Sequence, residues 1–496
     1  VQSISIEENR VTDYDHDVAT PTVRFGRLQS RGLVLGFSAS RFLCIALTVM
    51  IVTPAVFVGG SLGMAVTGPF WVTLLALVFL PWGGRPAIET VPTAAHFGTR
   101  RLLGQLSFLA RPSAPRPSGT LALPGDAAQL RFHIDDVSGA AMMHDPHAGT
   151  LTAVAHVQHP AYVLLSPDEQ SRRVSGWGRV LAGLAAQATC ARVQVLEIAL
   201  PDSGRGITGW WQEHRHRKAP NWALREYEEL MRTCAPAAST HRTLIALSLD
   251  TRKAGRAIRD AGRGMRGAAA VLRQDMLSFE SGLRDAELKL TSWLDEGALA
   301  ITLRGAFDPD GMRTRDGTSV GRHLETAGPV AVEEHWDHLR HDSAYSAVLW
   351  ITEWPRIDVP FSFLHGLVFQ QGVRKSISIT VTPLTTAQAM RDIRKAKVEY
   401  VTDSAQKARF GTIADLSDTQ EFSDVMDRER ALIAGHADLR FTGLIAVTAL
   451  TKESLDTAVS QVQRAATQCG CETRLLCGQQ ARAFNAAALP LARRVG

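Results

Sequence analysis

The sequence predicts a membrane protein: a two-helix transmembrane hairpin near the N-terminus, followed by an α/β (α+β) cytoplasmic domain with mixed sheets. Three observations carry this. No charged residue occurs from Phe42 to Gly84, a stretch roughly twice the ~20 residues that cross a bilayer core. Arginines bracket that stretch, with Arg24, Arg27, Arg31 and Arg41 before it and Arg85, Arg100 and Arg101 after it. Beyond it, segments of strand-like alternation take turns with segments of helical periodicity.

The elements follow in order. Residues 1–22 are polar and acidic and read as a flexible tail. The hairpin occupies 23–92, with spans at about 42–58 and 64–82 and a turn at Gly59-Gly60-Ser61-Leu62-Gly63. Pro54 and Pro69 are tolerated in such spans, and Trp71 and Trp82 suit interfacial positions. Arginine on both flanks places both ends on the cytoplasmic side, as in a multi-pass protein of the inner (plasma) membrane. Residues 93–125 read as an amphipathic segment around Arg100-Arg101-Leu102-Leu103 and then a linker rich in proline.

A first α/β subdomain is expected over 126–300 and a second over 301–496. Strand signals fall at LRFHIDDV, TLTAVAHV, Val193–Leu200 and Thr243–Asp250, then at Ala344–Trp354, Ser376–Leu384 and Leu439–Leu450. Ser166-Pro167-Asp168-Glu169 marks a helix start with an N-cap serine, proline at the first helical position and a capping-box glutamate. Thr385 and Gln388 form a second capping box. The two parts share a strand–helix order that is compatible with an internal duplication.

Thr251–Leu290 has helical periodicity with two faces. Leu272, Met276, Phe279, Leu283, Ala286 and Leu290 make an apolar stripe. Upstream, Arg252, Arg256, Arg259, Arg263 and Arg266 recur at the same steps and would align on one continuous helix, although four glycines weaken it. This arginine stripe is the candidate interaction surface, suited to anionic headgroups, nucleic-acid phosphate or an acidic partner.

The formal charge of +5 is too mild to indicate nucleic-acid binding by itself. The six cysteines lack paired C-x-x-C spacing and read as reduced thiols. There is no G-x-x-x-x-G-K-[ST] or H-E-x-x-H, and no G-x-S-x-G or G-x-G-x-x-G in a strand-to-helix context, so no cofactor and no enzymatic activity are expected. One cluster invites a metal reading. In EEHWDHLRHD, His335, His338 and His341 lie three apart beside Glu334, Asp337 and Asp342, and on a helix two of them would share a face. A polar helix leading into the next strand is the plainer expectation.

Several runs resemble an actinobacterial membrane-protein family encoded with conjugative, type IV secretion-like machinery. They are TVRFGRLQSRGLVLG, SGTLALPGDAAQLRFHID, HDPHAGTLTAVAHVQHPAYVLLSPDEQSRRVSGWGRVLAGL and GCETRLLCGQQARAFNAAALPL. More remotely, the arrangement is similar to the small hairpin inner-membrane subunit of such a system fused to the N-terminal, non-motor domain of its large ATPase. The second likeness rests on SITVTPLTTAQAMRDIRKAKVEY and on Gly478–Leu491. In those ATPases the last run leads into the motor, whereas here the chain stops before any Walker motif. The resemblance therefore implies a non-enzymatic platform subunit that docks a separately encoded ATPase, other inner-membrane subunits and further copies of itself. The rival expectations are the accessory membrane component of type VII secretion and a membrane-tethered metal-dependent enzyme built on the three histidines.

Overall fold

The structure, a computed structural model, describes residues 4–5, 22–25, 39–82, 85–111, 117–158, 162–201, 211–216, 220–234, 239–314, 323–409 and 416–495. In chain order come β1 (Ile4–Ser5), β2 (Thr22–Phe25), a helical run Ala39–Phe79, β3 (Pro81–Trp82), β4 (Arg85–Pro86), the helix Ala87–Leu102 and β5 (Ser107–Leu109). Next are β6 (Arg131–Ile134), β7 (Ala141–Asp145), β8 (Thr150–Gln158), the helix Pro167–Ala186, β9 (Cys190–Pro201), the helix Asn221–Cys234 and β10 (Ser239–Asp250). The helices Gly255–Asp260 and Gly264–Asp285, β11 (Lys289–Trp293) and the helix Glu296–Phe307 complete the first half. The second half holds β12 (Ala331–Glu334), β13 (Leu339–His341), β14 (Ala344–Glu353), β15 (Val359–Pro360), β16 (Arg374–Pro383), β17 (Leu439–Ala449) and β18 (Glu472–Leu475). Its helices include Thr386–Arg409, Leu416–Ile433, Lys452–Gln468 and Gln480–Ala487.

Thirteen strands form one sheet across both halves, in the order β5-β12-β13-β14-β17-β16-β9-β10-β8-β7-β6, with β11 also on β8 and β18 also on β14. Every strand pair among the described residues is antiparallel, in place of the mixed sheets expected. The duplication is visible element by element. In the first half β8 pairs with β10 and β11, and β10 pairs with β9. In the second, β14 pairs with β17 and β18, and β17 pairs with β16. Each half thus orders its four strands 4-1-3-2, the arrangement of a β-α-β-β-α-β ferredoxin-like unit. A two-stranded hairpin precedes each unit (β6–β7, β12–β13), and a helix follows each (Glu296–Phe307, Gln480–Ala487). The second strands of the two units pair with each other, Lys375–Val381 against Ala199–Val193. The halves are therefore related by an approximate twofold axis through that seam.

Alternating side chains divide between the two faces. On one face Leu196, Leu244, Val348 and Leu444 pack under the helices Glu296–Phe307 and Gln480–Ala487. On the other, Val193, Ile245 and Leu247 meet the helix Gly264–Asp285, and Leu349, Ile445 and Val447 meet the helix Lys452–Gln468. The apolar stripe Leu272, Met276, Phe279 and Leu283 is buried there as expected, and Ser166 and Glu169 form their capping box.

Three expectations change. The segment read as a linker is folded where it is described: Ser107–Leu109 joins the sheet, and Leu121 and Leu123 are fully buried, because the apolar alternation in TLAL outweighs the neighbouring prolines. The apolar stretch is one helical run, Ala39–Phe79, long and apolar enough to cross a membrane. Two helices meet there at a kink, and only Gly60 of the glycines expected to form a turn leaves helical backbone angles (φ 55°, ψ −140°). The run also ends at Phe79, before Trp82, because Pro81–Trp82 turns back in a short ladder with Arg85–Pro86.

The seam is polar and closed by the residues after Gln480. The buried Gln194 amide donates to Ser378 Oγ and to the Ala486 and Leu489 carbonyls, and its oxygen accepts from the Ala492 N–H. Ser376 and Ser378 donate to Ala487 and Ala486. Replacing Gln194 by Leu leaves buried backbone groups without partners, so the variant is expected to lose about 2–4 kcal/mol of stability. Denaturant unfolding in detergent measures this, with earlier proteolysis of residues 480–495 as a second readout.

Candidate functional site

The chain passes from the apolar run to the sheet through the helix Ala87–Leu102. Glu89 lies in its first turn and Arg100 and Arg101 in its last, the charge placement that complements a helix dipole. Arg41, at the start of the apolar run, pairs with Glu89 at 3.8 Å. Further along, Phe97 packs edge-on to Trp336 with ring centroids 5.3 Å apart. Gly478 makes this contact possible: with φ 75° and no side chain, it leaves room where a Cβ would come within 2.6 Å of the Trp336 ring and 3.1 Å of Thr93. Its N–H donates to the Trp336 carbonyl at 2.7 Å.

One turn later Arg100 donates to Glu334 Oε2 at 2.6 Å. The Glu334 side chain is 1% exposed, and its other oxygen accepts the N–H of Ala481 at 3.2 Å, in the first turn of the helix Gln480–Ala487. A single buried carboxylate therefore joins the stem, the β12–β13 hairpin and the segment that closes the seam. The chain before the apolar run is tied to the same half. β2 pairs with β15, Val23 opposite Val359, and Phe25 stacks on Trp354 at 5.3 Å and meets Phe363 edge-on. Trp354 packs against Gly443, where a Cβ would fall 2.7 Å from its ring.

The histidine cluster takes a form the sequence did not predict. EEHWDHLRHD is the β12–β13 hairpin and its turn, so neither a metal-binding helix nor a solvated one exists there. His335 and His338 stack at 4.4 Å as the His335 N–H donates to the His338 carbonyl at 2.9 Å. His338 bonds Asp337 at 2.7 Å, and Lys452 approaches that carboxylate at 3.2 Å. His341 is fully buried on the other side of the hairpin, with Nδ1 2.7 Å from the Phe307 carbonyl and Nε2 2.8 Å from Ser346 Oγ. Both its nitrogens are engaged and no lone pair is left for a metal. Asp342 accepts the N–H groups of Val330 and Ala331 and pairs with Arg304 at 2.9 Å. Among the described residues, no group of three or more His, Cys, Asp or Glu could hold a metal ion. Glu334, read from the sequence as a carboxylate beside the histidines, serves instead as the buried partner of Arg100 and of the Ala481 N–H.

The arginine stripe is also rearranged. It spans two helices, Gly255–Asp260 and Gly264–Asp285, broken at Gly262 (φ 109°), Arg263 (φ 62°) and Gly264 (φ 58°). Gly267 lets the second helix close on the first, since a Cβ there would lie 2.4 Å from the Ile258 carbonyl oxygen. Arg252 is drawn away to the His147 carbonyl at 3.2 Å. Arg256, Arg259, Arg263 and Arg266 remain exposed around the break. Of the flanking arginines, Arg24 and Arg85 lie on β2 and β4, while Arg27 and Arg31 fall outside the described residues.

No protein-family model matches the chain, and no curated protein matches it.

Two outcomes are expected. Arg100→Ala leaves the Glu334 carboxylate buried without its cation, at a cost of about 3 kcal/mol; a double-mutant cycle with Glu334→Gln, read by unfolding in detergent, isolates the pair. Burial pushes the His341 imidazole from 6.5 down to about 4. Its folded form is neutral, so its contribution is fully present above pH 6.5 and is lost as the pH falls towards 4, on the order of 3 kcal/mol in all. His341→Asn should be less stable at neutral pH and show a shallower decline between pH 7 and 4.5, measured by denaturant midpoints.

Proposed function

We propose that this chain is a non-enzymatic platform subunit of a conjugative, type IV secretion-like machine. Its α+β unit is held at the cytoplasmic face of the plasma membrane by a helical hairpin, where it docks a separately encoded ATPase and neighbouring subunits. One observation carries the membrane part: both ends of the apolar run are built into the same half of the sheet, through Phe25 on Trp354 and through Arg100 on Glu334. A chain that leaves and returns to one rigid body crosses a bilayer an even number of times.

The run itself supports this. At 1.5 Å per residue, a straight Ala39–Phe79 helix would be roughly 60 Å long, twice a hydrocarbon core of about 30 Å. The break at Gly60 divides it into arms of about 20 residues each, the length of one crossing. A Cβ on Gly63 would fall 2.5 Å from the Ala55 carbonyl oxygen, although eight residues of straight helix separate backbones by about 12 Å; the second arm therefore folds back on the first. Thr48, Thr53, Thr67 and Thr73 bond carbonyls one turn back, which satisfies their hydroxyls in an apolar setting. Apolar side chains such as Phe57, Val58, Leu62 and Phe70 point outward, as lipid contact requires.

The secretion part rests on the sequence resemblance together with two features. The antiparallel helices Thr386–Arg409 and Leu416–Ile433 extend from the β16–β17 connection and expose Val398, Val401 and Ile433, a surface suited to a protein partner. Among the described residues, no group of three or more His, Cys, Asp or Glu could hold a metal ion, which speaks against the metal-enzyme alternative built on these histidines.

Topology reporters at positions 2, 61 and 496 test the anchor: positions 2 and 496 should report cytoplasmic and position 61 external. Opposite locations for positions 2 and 496 would reject the hairpin. Gentle detergent extraction should recover the chain with an ATPase, and recovery of the chain alone would reject the platform.

A further inference from the structure

Arg252, Lys253, Arg256, Arg259, Arg263 and Arg266 make a basic surface at the end of the first half, and the fold fixes which way that end lies. β10 runs out at Asp250, opposite Thr150 of β8, while Leu249 lies opposite Cys190 of β9. Following the register across the seam, Val193 lies opposite Val381, and Pro383 opposite Leu439. β14 ends on this same rim at Glu353, and the turn His335–His338 opens towards it, because β12 and β13 are joined to β14 at their other ends by His341 and Ala344. The stem arrives at that turn. Thr93 and Phe97 lie against Trp336, Arg100 reaches Glu334, and Ser107 and Leu109 then run along Glu333 and Ala331 away from it. The turn stops near Ser346, short of Glu353, and the stem, followed back from Arg100 through Phe97, heads towards the rim that carries the basic surface.

The surface carries little compensating charge. Asp250 is turned onto the N–H groups of Arg252 and Lys253, and Asp260 is the one carboxylate within Thr251–Arg266. No carboxylate pairs with Arg256, Arg259, Arg263 or Arg266 among the described residues. The helix Gly264–Asp285 begins with no acidic residue and no side-chain cap, so its positive dipole end adds to the arginines and is not offset. Uncompensated cations on a rim that faces the bilayer match anionic headgroups.

We propose that this surface docks on the anionic lipid headgroups of the membrane that holds the stem, giving the sheet a second point of attachment some distance from the first. The proposal rests on the membrane reading above. Tethering makes this contact intramolecular, so a patch too weak to bind lipid on its own is occupied at the effective concentration set by the stem.

The test uses the full chain reconstituted, soluble unit outward, in vesicles of phosphatidylcholine alone or of phosphatidylcholine with phosphatidylglycerol. Trypsin cleavage is read by mass spectrometry as new N-termini at Ala257, Asp260, Gly264 and Gly267. Cleavage after Arg284, at the far end of the same helix on the opposite rim, is the internal control. Phosphatidylglycerol should slow the four cuts roughly tenfold relative to the control, with the effect abolished in molar salt. It should also be absent in the Arg256→Glu/Arg263→Glu variant, whose remaining two sites stay cleavable. Equal cutting in both vesicle types overturns the proposal, as does protection that needs added DNA or a partner protein. Carbonate extraction separates the two levels: a chain released from the vesicles refutes the membrane reading, whereas an inserted chain with unprotected arginines refutes the docking alone.

Discussion

A carboxylate out of contact with water must be compensated, and at Glu334 the compensation comes from two directions at once. Arg100 supplies the charge from the helix that follows the apolar run, and the Ala481 N–H supplies a dipole end from the helix that lies over the seam. Removing either leaves a buried ion partly unpaired, which costs far more than an exposed ion pair contributes. The position of the stem is thereby coupled to the position of the closing helix. That helix in turn satisfies Gln194, Ser376 and Ser378 on the two strands that join the halves.

The seam explains why a duplicated unit needs such a closure. Two ferredoxin-like sheets joined edge to edge bury the edges that each would otherwise expose, and the pairing of β9 with β16 sets the polar side chains of Gln194, Ser376 and Ser378 beside Leu196 on one face. Polar groups there are tolerable only when every donor and acceptor is matched. The residues from Gln480 to Ala492 supply the matches. A thirteen-stranded sheet with helices on both faces is a broad, stiff body, and stiffness over that width lets a contact at one end fix the orientation of the other.

Much of this was legible in the sequence where period-two alternation was strong. Val193–Leu200, Thr243–Asp250, Ala344–Trp354 and Leu439–Leu450 were read as strands and are strands, because both faces of the sheet are covered and demand apolar side chains. The capping boxes at Ser166 and Thr385 were equally plain, being local chemistry. The histidine run misled because three-residue spacing imitates a helix, while its turn, Trp336-Asp337, carries neither glycine nor proline. The arginine stripe misleads for the opposite reason: its glycines are plain in the sequence, but only tertiary packing of Gly267 on Ile258 shows that they end one helix and begin another. Glu334 stands out in the sequence only as a neighbour of the histidines, because the partners that define its role lie 234 and 147 residues away.

The docking of β2 on β15 has a consequence for how the protein is made. Val23 and Phe25 emerge from the ribosome early, but Trp354, Val359 and Phe441, on which they rest, are separated from them by more than 300 residues of chain. At about 5–20 residues per second, the early strand waits on the order of tens of seconds for its partner. On the membrane reading proposed above, the apolar run, which needs nothing downstream, enters the bilayer in that interval. The order of synthesis thus separates the two ends of the apolar run, and the late arrival of the second half gathers both into one body.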